Sequence, residues 1–339
     1  MLEFIRIGIA VALVVGAAGN VAAKTWVVCP AVGTAGCDFN GHGGIQAAID
    51  AAAAGDAINL KAGVYQPQKF RDVPYKQYVI RGSLVIERKT LDLLGEPGAV
   101  IDGSGGPAVS ALVVRDADVV IRNLTVRNFR AGEKEDDLYE GHGVFVIDSR
   151  AHLSNVEIER YEKMGLTGRG TTLLTADSIR IADGHVAIWL EETAQLRLCN
   201  SVVRNNDSAA IAAYMNSSAN AYNSVFDGNL DDGLYAAGDA SIVATNSLLL
   251  RNKPFGIRVI DNARALVMHS VLFGNEDKAS APKGTQQVKF GAGVIFSEPK
   301  LDANDRLATV VAGDPDVRAA DGGKSRIGLQ DIAGCSSSR

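Results

Sequence analysis

The sequence predicts an all-β solenoid, a single column of stacked coils of about 23 residues each. Three observations predict it. A phrase beginning with a small polar residue returns at Asn123, Asn155, Asp177, Asn200, Asn223, Asn246 and His269, in steps of 32, 22, 23, 23, 23 and 23 residues. The apolar stretches between turn residues are only three to five residues long and are bounded by Asn, Asp and Gly, as short strands are. No 3.6-residue period runs through the region.

Taken in order, residues 1–23 read as a secretory signal. Arg6 supplies the positive charge, Ile7–Gly16 is an apolar run of 10 residues, too short to span a bilayer, and Val21-Ala22-Ala23 offers small residues before a cut. The expectation is a secreted or periplasmic protein with no membrane span once the signal is removed; an uncleaved membrane anchor is the alternative. Cys29 and Cys37, eight apart around Pro30 and Gly36, suit a local disulfide in an oxidising compartment. Cys199 and Cys335 are distant in sequence and are read as unpaired, with Cys199 packed inside.

Residues 24–60 read as an N-terminal cap. Ile45, Ala48, Ile49 and Ala52 recur at helix spacing and Gly55 reads as the stop. Such a helix would cover the open end of the stack, where apolar side chains and strand edges are otherwise bare.

Residues 61–296 hold the coils. Ten residues after each anchor comes a small residue, Gly143, Gly165, Ala187, Ala210, Gly233 or Gly256 (the first once a ten-residue insertion is subtracted). An apolar residue follows it: Val144, Leu166, Ile188, Ile211, Leu234 or Ile257. A third short strand, such as Ser241–Ala244 or Ala265–Met268, completes each period. One coil cannot bury its own apolar face, but stacked coils pairing in parallel about 4.8 Å apart can. Asn at each anchor suits a left-handed turn and can hydrogen-bond from coil to coil, so these residues are read as structural. From about residue 297 the period is lost, which reads as a C-terminal cap or tail.

Side chains alternate along a strand. Where the apolar member of the second strand points inward, Phe145, Thr167, Trp189, Ala212, Tyr235 and Arg258 form an outward column. Two residues on, Ile147, Arg169, Glu191, Tyr214, Ala237 and Ile260 form the next. Trp189, Tyr214, Tyr235, Arg169, Arg258 and Glu191 are thereby expected on one face, either as rings for the apolar faces of sugars and charges for hydroxyls or carboxylates, or simply because aromatic residues form strands well. The insertion, roughly Arg130 to Glu140, carries Glu133, Glu135, Asp136, Asp137 and Glu140 and is followed by His142. It is expected to overhang that face, as a cleft wall or a carboxylate calcium site; a solvated acidic loop is the plainer alternative. Asp231 and Asp232, beside Gly233, read as turn formers.

Composition sets the outer bounds. With 47% hydrophobic and 22% charged residues the chain is globular, not disordered or collagen-like. A net charge of -5 argues against a general nucleic-acid binder.

The repeat, together with the segment Gly44–Tyr65 (GIQAAIDAAAAGDAINLKAGVY), resembles the single-stranded right-handed parallel β-helix of the pectate-lyase-like superfamily, from about Gly41 to Gly293. That resemblance implies the helical cap and a choice of activities. Of the pectin methylesterase pattern only Gly63-Val64-Tyr65 is present. Gly141-His142-Gly143 precedes Asp231-Asp232, the reverse of the order in polygalacturonase-like hydrolases. Tyr139-Glu140-Gly141-His142 is a faint echo of the alginate epimerase signature. A polysaccharide lyase needs a neutraliser for the uronate carboxylate, a base and an acid. Arg258 and Arg169 are the candidates for base or clamp, and Tyr235 or Tyr214 for the acid. Trp189, Tyr214, Glu191 and His142 would contact substrate, and Asp136, Asp137 and Glu140 would hold Ca²⁺. The expected function is β-elimination on a uronate-containing polysaccharide by an exported monomer. A non-catalytic carbohydrate-binding or envelope protein and a polyuronate epimerase stay open as alternatives.

Overall fold

A computed structural model describes residues 23–132, 139–283, 285–298 and 335. Each coil turns through three strands; Val186–Leu190, for instance, is followed by Gln195–Cys199 and Val202–Arg204. Equivalent strands pair in parallel from coil to coil, with Trp189 between Thr167 and Ala212, and Leu198 between Ala176 and Ala221. One face, the front sheet, collects ten strands from Arg71–Tyr75 to Asp277–Ser280. The other two strands of each coil form the back. This is the expected right-handed parallel β-helix.

The core is a set of stacked rows. Leu84, Leu112, Val144, Leu166, Ile188, Ile211, Leu234 and Ile257 lie in register on the inner side of the front sheet and are all buried. Burying each such side chain is worth ~1.5–3 kcal/mol. The small residue before each row has a steric cause. A Cβ on Gly143 would lie 2.4 Å from Ile158 and 2.5 Å from the Gly165 carbonyl oxygen, and one on Gly233 would lie 2.6 Å from that of Gly256.

The turn between the two back strands is left-handed at Asn123, Asn155, Asn200, Asn223, Asn246 and His269, with φ between 47° and 55°. The anchor expected at Asp177 is displaced by one: Ser178 takes the left-handed backbone at φ 54°, and the Asp177 carboxylate accepts a hydrogen bond from Asn200 Nδ2 at 2.9 Å. The amide ladder expected from the stacked Asn is present, Asn223 donating to Asn200 at 3.2 Å and Asn246 to Asn223. A second ladder at the next corner was not anticipated. There Asn206 donates to Asn229, and Asn229 to Asn252, at 2.8 Å each, and Asn252 donates to Asn275 at 3.3 Å. Beside the first ladder, the hydroxyls of Ser224, Ser247 and Ser270 accept the N–H groups of Ser201, Ser224 and Ser247 at 3.3, 3.2 and 3.0 Å.

The capping helix spans Gly44–Ala51 and buries Ile45, Ala48 and Ile49 against the first coil. It stops earlier than expected: Ala52 is already extended (φ -65°, ψ 136°), and Gly55 instead shapes the turn into Asp56–Leu60 with φ 88°. The end is fixed from outside. Lys89 Nζ donates to the carbonyl oxygens of Ile49, Asp50 and Ala52 at 2.5, 3.1 and 2.8 Å, placing a cation where the helix dipole is negative.

Two further features depart from the sequence reading. Arg71–Tyr75 turns back antiparallel on Tyr78–Glu87, with Lys76 left-handed at φ 54°. Its Val73, Tyr75 and Ile80 pack with Tyr139 against Val85, Val113, Phe145 and Ile147, forming a second small core outside the column. Second, Cys199 is not unpaired. Cys29 and Cys37 are bonded as expected, but Cys199 is also bonded to Cys335, 136 residues away. Distance in sequence is a poor guide here, because residues far apart along a chain can lie side by side in the fold.

Candidate functional site on the front face

Strand pairing sets Phe145, Thr167, Trp189, Ala212, Tyr235 and Arg258 in one outward row. Pointing outward is not the same as reaching solvent. The hairpin and Tyr139 cover the first coils, so Phe145, Ile147 and Thr167 are fully buried. From Trp189 onward the row is partly open.

The boundary is a polar knot. Arg169, expected at the surface, is only 6% exposed, because Tyr139 lies over it with the guanidinium 5.1 Å from the ring centre. Its Nη1 meets Glu191 Oε2 at 2.6 Å, and Trp189 Nε1 donates to the same oxygen at 3.3 Å. Glu192, one residue on, meets Lys76 Nζ at 2.9 Å and accepts the Tyr75 hydroxyl. Burial pushes the Tyr75 and Tyr139 hydroxyls above the usual tyrosine range; Glu192 adds to the effect on Tyr75, and Arg169 opposes it on Tyr139. Both stay protonated at neutral pH.

Beyond the knot runs an aromatic ladder. Trp189 and Tyr214 have ring centres 4.3 Å apart, and Tyr214 and Tyr235 5.4 Å, over a floor of Met164, Val186, Ala209 and Ala212. Each such ring pair adds ~0.5–1.5 kcal/mol beyond its burial. Burial raises the Tyr214 and Tyr235 hydroxyls, and nearby Arg258 partly offsets this.

Arg258 closes the ladder, its guanidinium 4.9 Å from the Tyr235 ring centre. Nη2 meets Asp231 Oδ1 at 3.2 Å, and Nε lies 2.7 Å from Asp232 Oδ2 as an ion pair without hydrogen-bond alignment. Asp232 is fully buried. Burial foremost, then the Asp231 charge, lifts its pKa to about 7 against the pull of Arg258. Sequence reasoning passed over Asp232 as a turn former. The signal was available: the coils on either side carry Met164, Val186, Ala209 and Phe255 at that place, so Asp232 is a carboxylate between apolar neighbours.

The remaining expected residues lie elsewhere. His142 is 1% exposed; its Nδ1 is 3.1 Å from Thr167 Oγ1 and its ring is edge-on to Phe145, so it is removed from the open face where a sugar contact was expected. Glu140 is buried against Arg81 Nε at 2.8 Å and accepts the Gly132 N–H at 2.9 Å, so its carboxylate already has partners. Asp136 and Asp137 fall outside the described residues. Among the described residues no three His, Cys, Asp or Glu side chains group as metal ligands. A concavity of about 580 Å³ near the capping helix, lined by His42, Gln46, Lys69, Phe70 and Arg71 among others, shares no residue with the ladder, which is an open surface.

Among curated proteins none matches. Of solved structures, the chain is similar to the pectate lyase Pel9A, at 15% identity over 83% of this chain and 82% of that one, with a TM-score of 0.43. It is similar to the pectin methylesterase PemA from Erwinia chrysanthemi, at 17% identity over 85% and 97%, TM-score 0.42. It is also similar to the periplasmic alginate epimerase AlgG, at 8% identity over 71% and 77%, TM-score 0.41. The family model described as a right-handed β-helix region matches residues 108–298, more than half of the chain, and the protein belongs to that family.

Proposed function

We propose that this is an exported protein that holds a polysaccharide on its front face and cleaves a uronate-containing chain by β-elimination. The observation that carries the reading is the ladder Trp189–Tyr214–Tyr235 ending at a part-exposed guanidinium, Arg258. Flat rings cover the apolar faces of sugars, and a guanidinium meets a carboxylate with matched geometry. Export is supported by two disulfides, which persist in oxidising compartments, and by the signal-like residues 1–23. No helix among the described residues is long and apolar enough to cross a membrane.

The roles follow from position. Arg258 neutralises the uronate carboxylate, which acidifies the neighbouring C–H. Asp231, its side chain 39% exposed beside the guanidinium, takes that proton. The C–H electron pair forms the new C=C bond, the glycosidic C–O bond breaks, and the Tyr235 hydroxyl protonates the departing oxygen. Arg169, buried under Tyr139, is a positioning residue that aims Glu191 at Trp189. This replaces the expectation of an arginine base, which would have to surrender a proton from a group that stays charged in proteins.

A second reading has its own support. Arg169 and Arg258 are each already matched by carboxylates, which suits a binding face as well as a catalytic one. The test is ultraviolet absorbance of unsaturated chain ends when the protein lacking residues 1–23 meets a panel of polyuronates, with and without Ca²⁺. Absorbance that rises, and is abolished by Arg258→Ala and Tyr235→Phe, is expected. Binding without any rise supports the binding protein, and changed sugar configuration without shortening supports an epimerase.

A further inference from the structure

We infer that the front face takes the end of a polysaccharide chain and not an internal stretch, because it is closed on one side by a wall. The inference rests on the polysaccharide reading above and concerns how the chain lies in that same site.

The ladder fixes the direction. Trp189, Tyr214 and Tyr235 come from three successive coils, so a chain stacked on them runs along the axis of the column. Followed toward the N-terminal coils, that path meets the hairpin and Tyr139. Val85, Val113, Phe145 and Thr167 continue the outward row of Trp189, yet none is more than 5% exposed. The cover is two rings high over Phe145. The Tyr139 ring centre lies 6.4 Å from that of Phe145, and Tyr78 stacks on Tyr139 at 4.2 Å. The hairpin tip reaches further still, to Glu192 in the Trp189 coil, through Lys76 and Tyr75.

The obstruction is built into the fold. It has its own apolar core, Val73, Tyr75, Ile80 and Tyr139, and is anchored by the ion pair of Arg81 with buried Glu140. From Trp189 to Ser280 the row spans four coil-to-coil steps, about 19 Å at ~4.8 Å each, which is room for a short oligosaccharide. At the foot of the wall stand Lys76, its side chain 53% exposed, and Glu191, 18% exposed. An ammonium and a carboxylate there suit the carboxylate and hydroxyls of a terminal uronate.

The experiment is a length series. Trp26→Phe leaves Trp189 as the sole indole reporter. Its fluorescence is titrated with polyuronate fractions from short oligomers to long polymers, reading the initial change before turnover. End recognition predicts that the dissociation constant per mole of chains stays within about twofold across a tenfold change in length. Internal recognition predicts about tenfold tighter binding, since each repeat then adds a site. The second result overturns the inference while leaving the polysaccharide reading intact. No fluorescence change with any fraction instead overturns the polysaccharide reading, and this inference with it. In the double variant Tyr75→Ala/Tyr78→Ala, length dependence should appear; a folded variant that stays length-independent also counts against the wall. If that variant does not fold, the Trp26→Phe length series decides alone.

Discussion

Replacing Asp232 with Asn removes a buried carboxylate and leaves a neutral side chain of the same shape beside Arg258. The carboxyl is lifted from the 3.8 of a free aspartate to about 7. Between those pH values the folded protein holds a proton that the unfolded chain has already released. The sign follows: raising pH through this window disfavours folding, and the loss is complete above about pH 7. Some three pH units at ~1.4 kcal/mol each set a ceiling of roughly 4 kcal/mol. Wild type should therefore lose up to about 4 kcal/mol relative to Asp232→Asn as pH rises from below ~4 to above ~7. Urea midpoints of both proteins across that range measure it, because contributions of other carboxylates cancel in the difference. The expected difference curve is flat, then falling, then flat. Parallel stability curves would refute the argument. So would a difference rising with pH, which would mean that the Arg258 ion pair outweighs desolvation and holds Asp232 ionised.

Other expectations are shorter to state. Asn229→Ala removes a fully buried rung and takes the Oδ1 acceptor from both the Asn206 backbone N–H and its side-chain amide, at a cost of ~2–6 kcal/mol in urea unfolding. Asn262→Ala breaks an exposed contact to Asp239 and should cost under ~0.5 kcal/mol. Cys199→Ser with Cys335→Ser opens a loop of 136 residues and should lower stability by up to ~4–5 kcal/mol in non-reducing buffer. Trp189→Ala should weaken oligosaccharide binding about tenfold by calorimetry, from loss of stacking on both Tyr214 and the sugar.

The column was legible because a solenoid writes its geometry into the sequence: one turn of the coil is one period, and left-handed turns select Asn. Hence the inward rows and the outward row could be assigned residue by residue from Gly143 to Arg258. What escaped the period escaped the reading. The Arg71–Glu87 hairpin is an excursion whose turn, Lys76-Gln77, carries no Gly or Asn to mark it, and its packing on Phe145 is a contact between distant segments. That excursion decided which outward residues see solvent, so Arg169 and His142 were placed on the correct side of the sheet but at the wrong depth. The second Asn ladder follows the same period, Asn206, Asn229 and Asn252 standing 23 apart, but its corner carries no strand-and-turn phrase to mark it as the first does. Asp232 was missed for a different reason. Its neighbourhood resembles a turn, and the contrary signal lies one coil away, in the apolar Ala209 and Phe255 that take its place in the adjacent coils.

The Cys199–Cys335 bond also sets how the molecule answers tension. A pull applied at the two ends of the chain reaches Cys199 and crosses directly to Cys335, bypassing everything between. The coils before Cys199 carry the strain and peel away one by one. The enclosed segment holds Tyr214, Tyr235, Asp232 and Arg258 and feels none of it. Trp189 lies on the strained side, ten residues before the bond. Stretching the protein would therefore carry off the first ring of the ladder while leaving the guanidinium and its carboxylates in register. A mechanically anchored copy would lose its grip on a sugar chain before losing the rest of its fold.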